Sequence, residues 1–144
     1  MLDTNVCLDL LLFADPKVAQ LASALRSRRV IAMASAATRA EWQRVLGYPA
    51  LRLDSDRRSS LNGAFDALVD NVAIAAENHV DPQLLSALPR CVDPDDQKFL
   101  ELARITGARW LLSRDRDLLQ LAARCRRDGH FVILTPQAWT DAPA

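Results

Sequence analysis

The chain has 144 residues with 18 basic and 18 acidic side chains, so its formal net charge is zero. That balance argues against a tight, sequence-independent nucleic-acid binder but leaves room for an enzyme that meets a polyanion briefly through a bound cation. Half the residues are hydrophobic and a quarter charged, the composition of an ordinary globular protein; the length suits a single domain, residues 1–144, burying roughly 70% of its unfolded surface. No apolar run approaches the ~20 residues of a membrane span, and no basic segment ahead of such a run marks a signal peptide. Cys7, Cys91 and Cys125 are odd in number and form no CxxC pair, which reads as reduced thiols in a cytoplasmic protein.

In chain order, Met1-Leu2 is a truncated apolar run ending at Asp3, and Val6 to Phe13 reads as helical. Asp15-Pro16 opens a second helix, an acidic cap with proline at its first position, running through Leu21 and Leu25 to a basic stop. Val30 to Met33 reads as a short buried strand. A third helix follows Ser35, carries Glu41, and closes at Gly47 and Pro49. Asp54 caps a long helix through Leu61, Phe65, Leu68 and Val69, and Val72 to Ala75 is a further strand candidate. Asp93-Pro94-Asp95-Asp96 begins a helix ending at Gly107. Trp110 to Ser113 reads as a strand, Asp117 as the start of a helix, and Phe131 to Leu134 as the last strand. Five strand candidates separated by helices predict an α/β fold with a parallel sheet covered on both faces.

The active crevice of an open parallel sheet lies beyond the carboxyl ends of its strands. Asp3, Glu41, Asp96 and Asp115 fall near such ends. Each has an ordinary structural explanation: Asp3 and Asp115 as helix caps, Glu41 as a partner of Arg44 on its own helix, and Asp96 as part of a helix start. They point to chemistry only if they converge. Two carboxylates about 4 Å apart repel by about 4 kcal/mol at an effective dielectric near 20, and a hard divalent cation with oxygen ligands removes that penalty. His79 and His130 are isolated surface candidates, so an oxygen-only site favours Mg²⁺ or Mn²⁺ over Zn²⁺. Periodicity excludes Gln97 and Lys98 from the buried face of their helix but does not separate Asp95 from Asp96.

Four segments carry a family resemblance. Leu2-Asp3-Thr4-Asn5-Val6 is similar to the opening motif of PIN domains. Asp93 to Ala103 (DPDDQKFLELA) resembles the DPxDDKFLELA segment of a PIN subfamily described as toxins of toxin–antitoxin pairs, and Gly107 to Leu119 (GARWLLSRDRDLL) resembles its GAxYLVTGDKDLL. Ser35 to Glu41 fits the helix that supplies the family's glutamate. The resemblance spans Asp3 to about Leu134. It implies a three-layer α/β/α fold with a central parallel sheet of about five strands, and a metal-dependent nuclease acting on single-stranded RNA. It also implies an antitoxin protein and a homodimer as partners.

Carried over by position, Asp3, Glu41 and Asp96 match the acidic triad around the metal and Asp115 the fourth acid, with Asp117 as a helper. The tie between Asp95 and Asp96 is broken by this resemblance alone. Thr4, Asn5 and Ser113 would support the acids by hydrogen bonds. Two departures stand out. The family has several apolar residues before LDTN where this chain has Met1-Leu2, so either the start lies upstream or the central strand is short. Gln97 and Arg114 replace a common Asp and Gly; Arg114 and Arg116 flank Asp115 as candidate contacts for an RNA phosphate.

Three other readings compete. A phosphoaspartate receiver wants a lysine near the last strand, but the lysines are Lys17 and Lys98. A haloacid-dehalogenase-like phosphatase wants an Asp two residues after the first, where this chain has Asn5. A catalytically degenerate PIN fold acting as a binding module would have lost one of the four acids.

Overall fold

The computed structural model describes residues 1–72 and 78–141. Twelve elements matter for placing the site: helices α1 (Thr4–Leu11) and α2 (Ala19–Arg26), strand β1 (Ala32–Ala34), helices α3 (Ala36–Leu46) and α4 (Ser55–Leu68), and strand β2 (Val69–Asn71). Then come α5 (Pro82–Ser86), α6 (Gln97–Ile105), β3 (Trp110–Leu112), α7 (Arg116–Leu119), α8 (Ala122–Arg127) and β4 (Val132–Leu134). Single 3₁₀ turns at Pro16–Val18 and Pro94–Asp96 lead into α2 and α6.

Local capping chemistry fixes the helix starts. Ser35 and Thr38 form a reciprocal box at the head of α3, with Thr38 N donating to Ser35 Oγ at 3.2 Å and Ser35 N to Thr38 Oγ1 at 2.9 Å. Asp54 accepts from Arg57 N at 2.7 Å to start α4, and Asp15 accepts from Lys17 N at 2.9 Å ahead of α2.

The sheet differs from the expected one. Among the described residues there are four strands of three residues each, in two separate parallel pairs, β1–β2 and β3–β4, and no continuous five-stranded sheet. Met1-Leu2 contributes a single parallel bridge, Leu2 to Leu112: Asp3 N donates to Leu112 O and Leu112 N to Met1 O, both at 2.9 Å. The second strand runs Ala32–Ala34, later than the expected Val30 to Met33. The strand expected at Val72 to Ala75 lies in part outside the described residues. Val72 itself donates its amide to Ala34 O at 2.8 Å, and the paired strand is Val69–Asn71 just before it.

Two apolar clusters hold the elements. One gathers Val6, Leu21, Leu25, Trp42, Leu46, Leu61 and Phe65 against β1 and β2, with Trp42 and Phe65 stacked at 5.1 Å. The other gathers Phe99, Leu100, Ala103, Leu111, Leu118 and Ile133 against β3 and β4. Leu61 and Phe65 of α4 thus serve the core. No described helix is long and apolar enough to cross a membrane, and Cys7, Cys91 and Cys125 are buried free thiols.

Candidate active site

Asp3 occupies the N-cap position of α1, yet its side chain makes no capping hydrogen bond. Instead Asp3 Oδ2 accepts from Ser113 Oγ at 2.6 Å, and the residue is only 4% exposed. The carboxylate lies beside the Thr4 amide at the head of α1 but takes its hydrogen bond from across the fold, at the end of β3. Burial pushes its carboxyl above the ordinary value, opposed by the Ser113 hydrogen bond and the Thr4 amide and reinforced by the charges of Glu41 and Asp115. Ser113 is itself fully buried and accepts from Asp115 N at 2.9 Å, so one hydroxyl ties Asp3 to the turn that presents Asp115. Asp115 does cap: its Oδ1 accepts from Asp117 N at 2.7 Å at the start of α7.

Glu41 projects from α3. Its Oε1 accepts from Thr4 Oγ1 at 2.8 Å. Its Oε2 is buried and receives no aligned hydrogen bond, but forms a close ion pair with Lys98 Nζ. Arg44 on the same helix stands 4.0 Å from that oxygen, the limit of an ion pair. The expected helix-neighbour pairing is therefore secondary to a contact with α6.

Asp96 ends the turn before α6. Asp93 caps that turn, accepting from Asp95 N at 2.9 Å, and Asp95 is exposed while Asp96 is half-buried. The Asp96 carboxyl is pushed up to about 6, first by burial and then by the charges of Asp3, Asp115, Asp93 and Glu41. Asp3 and Asp96 thus each lie within electrostatic reach of the other three acids.

Other sequence candidates find different employment. Gln97 clamps the preceding loop, accepting from Cys91 N at 2.8 Å and donating to Pro89 O at 3.3 Å. Arg114 pairs with Asp9 at 2.9 Å, while Arg116 is exposed and has no ion-pair partner among the described residues. Asn5, Arg114, Asp115, Arg116, Asp117 and Gln120 line an open polar cleft of about 740 Å³. Two participants were missed from sequence. Asp9 left a signal, a carboxylate inside the otherwise apolar run VCLDLLLF. Lys98 left one too, a cation two residues after Asp96. Neither signal names its partner.

The donor set fits a hard divalent ion in kind: carboxylate oxygens, among them a buried Glu41 oxygen that takes no hydrogen bond and is met by the Lys98 ammonium alone at close range, and supporting hydroxyls. As arranged, no three or more His, Cys, Asp or Glu side chains among the described residues group tightly enough to hold one. The acids are close enough to repel and too spread to close around a single ion as they stand.

No curated protein and no solved structure matches this chain. A family model described as PIN domain does, over residues 1–117, a span that includes Asp3, Glu41, Asp96 and Asp115. With that match covering most of its length, the chain belongs to the PIN-domain family, whose members are generally nucleases.

Proposed function

We propose that the chain, as a single PIN-like unit over residues 1–144, is a metal-dependent ribonuclease. It would hydrolyse phosphodiester bonds in single-stranded RNA with Mg²⁺ or Mn²⁺ held by Asp3, Glu41, Asp96 and Asp115, and Asp117 at the margin. The observation that carries the reading is the tie at the strand ends: buried Ser113 donates to Asp3 and accepts from the Asp115 amide, and Thr4, beside Asp3, donates to Glu41, while the Asp96 carboxyl is raised by burial and by those same acids. Carboxylates gathered at such a cost call for positive charge. Bound there, a divalent ion supplies a more acidic water and positive charge against a phosphoryl oxygen.

The chain's own residues do the positioning. Ser113 holds Asp3, Thr4 holds Glu41, and the Asp115 backbone is fixed through Ser113. Arg116 and Asn5, on the rim of the polar cleft, receive the phosphate backbone, Arg116 as the arginine there that no ion pair holds among the described residues, since Arg114 is taken up by Asp9. The reading extends to the toxin role, with an antitoxin partner, a homodimer and a cytoplasmic setting; light scattering at micromolar concentration tests the dimer.

The deciding experiment incubates the protein with defined RNAs, with and without Mg²⁺ or Mn²⁺. Cleavage should vanish in chelator, return with the ion, and drop by at least two orders of magnitude in a folded Asp3→Asn variant. Undiminished cleavage in excess chelator rejects the proposal.

A further inference from the structure

Lys98, the second residue of α6, reaches to Glu41 on α3 rather than out to solvent. Its ammonium pairs with Glu41 Oε2, donates to Asp95 O, and lies 5.3 Å from the centre of the Phe99 ring. The two partners of the ion pair are withdrawn from water, with side-chain exposures of 23% and 12%, whereas Arg44 beside the same oxygen is 57% exposed. The contact is electrostatic: Glu41 Oε2 receives no aligned hydrogen bond. Its other oxygen is held by Thr4, so removing Lys98 would leave the carboxylate in place with one oxygen free. A lysine suits such a reversible role. It is a compact point charge on a four-carbon stem, not bound to a carboxylate by the rigid two-pronged geometry of arginine.

We propose that Lys98 is a resident counter-ion of the acidic cluster. It compensates Glu41 in the metal-free protein and is displaced when a divalent cation enters, so that ion binding and lysine release are one exchange. The proposal rests on the reading of the four acids as a divalent-ion site. It adds that the site carries its own competitor, which protects the clustered carboxylates from mutual repulsion while no ion is bound and raises the ion concentration needed for occupancy.

The sequence contains two lysines, Lys17 and Lys98, and Lys17 is exposed, which makes a clean internal reference. Labelling the unaltered protein with an amine-reactive acylating reagent, read by peptide mass spectrometry, should show Lys98 at least threefold more reactive relative to Lys17 in saturating Mn²⁺ than without it. In calorimetric titration with Mn²⁺, Lys98→Gln should bind the ion at least fivefold more tightly than the parent. Arg44→Gln, which removes a nearby charge from solvent, should change affinity less than twofold. The two shifts are required together. Tighter binding with constant labelling means only a change of field, and overturns the exchange. Equal or weaker binding by Lys98→Gln overturns it too, while leaving the ion site standing. No Mn²⁺ binding by either protein removes the ion site and the exchange with it. If Lys98→Gln does not fold, Lys98→Met takes its place in the titration and is held to the same fivefold shift.

Discussion

The two ends of the short parallel strands have opposite characters. Where β1 and β3 begin, a cavity of about 440 Å³ is lined mainly by apolar groups, among them Leu21, Leu25, Val30, Trp110 and Trp139. Beyond their other ends lie Asp3, Glu41, Asp96 and Asp115, with buried Ser113 and Thr4 holding two of them. The apolar end lowers the free energy of the fold by removing hydrocarbon from water. The acidic end raises it, since burial and mutual repulsion both disfavour charged carboxylates. A fold tolerates the second because the first outweighs it, and chemistry is expected at the end that costs stability. The apolar cavity is therefore not the place to look for catalysis.

Substitutions at the two ends should separate stability from rate. At the apolar end Trp139 is 2% exposed and meets Trp110 edge-on at 5.8 Å. Trp139→Ala should cost about 3–5 kcal/mol of stability, measured by urea unfolding, with cleavage per folded molecule within twofold of the parent. A large loss of rate in the folded fraction would make the two ends functionally continuous. At the acidic end Asp96→Asn should lose roughly 10–100-fold or more in rate without loss of fold, because ligand removal should exceed the effect of a supporting contact. Asp95→Asn should stay within a few-fold. The reverse ranking moves the site to Asp95.

Ser113→Ala probes the hinge between the two characters. It removes a donor to Asp3 and an acceptor for the Asp115 amide. Leaving those groups unsatisfied in a buried place should cost about 1–3 kcal/mol. The loosened carboxylates should lower the rate roughly tenfold, with the change in kcat rather than KM. A variant that melts early yet turns over normally would reduce Ser113 to a structural hydroxyl.

What the sequence made legible follows the range of the interactions. Helix starts are written locally: Asp15, Ser35, Asp54, Asp93 and Asp115 all make the cap hydrogen bonds their positions suggest, because cap and amide lie two or three residues apart. Strands are set by partners far away in sequence, so three-residue strands such as Ala32–Ala34 and Val69–Asn71 drift from the apolar runs that suggested them. The positions of the acids were readable; their partners were not. Glu41 has a good helix neighbour in Arg44, but the fold brings Lys98 closer. Arg114 has an attractive place beside Asp115, but Asp9, on α1, takes it up. Asp3 reads as a cap from sequence, and only its contact with Ser113, 110 residues away, shows otherwise.

The smallest effect is the most direct test of the contrast, because it asks whether the acidic end costs stability. With its carboxyl raised from an ordinary value of 3.8 to about 6, Asp96 binds its proton more tightly in the folded chain than in the unfolded one. Its favourable contribution is then fully present below pH 4 and lost as pH rises through about 6. Above that, the folded state must carry a charge that burial and the neighbouring acids disfavour. Asp96→Asn escapes this cost. In metal-free buffer at pH 8 the variant should melt about 2–4 °C above the parent, roughly 1 kcal/mol or less for a domain of this size and a partly exposed group. By pH 5, where the parent's carboxyl is mostly protonated, the two curves should approach each other. Mn²⁺ at tenfold its Kd should then add about 1.4 kcal/mol to the parent and much less to the variant, reversing their order at pH 8. An advantage for the variant that is equal at pH 5 and pH 8 would assign it to something other than charge. An order unchanged by Mn²⁺ would detach Asp96 from the ion.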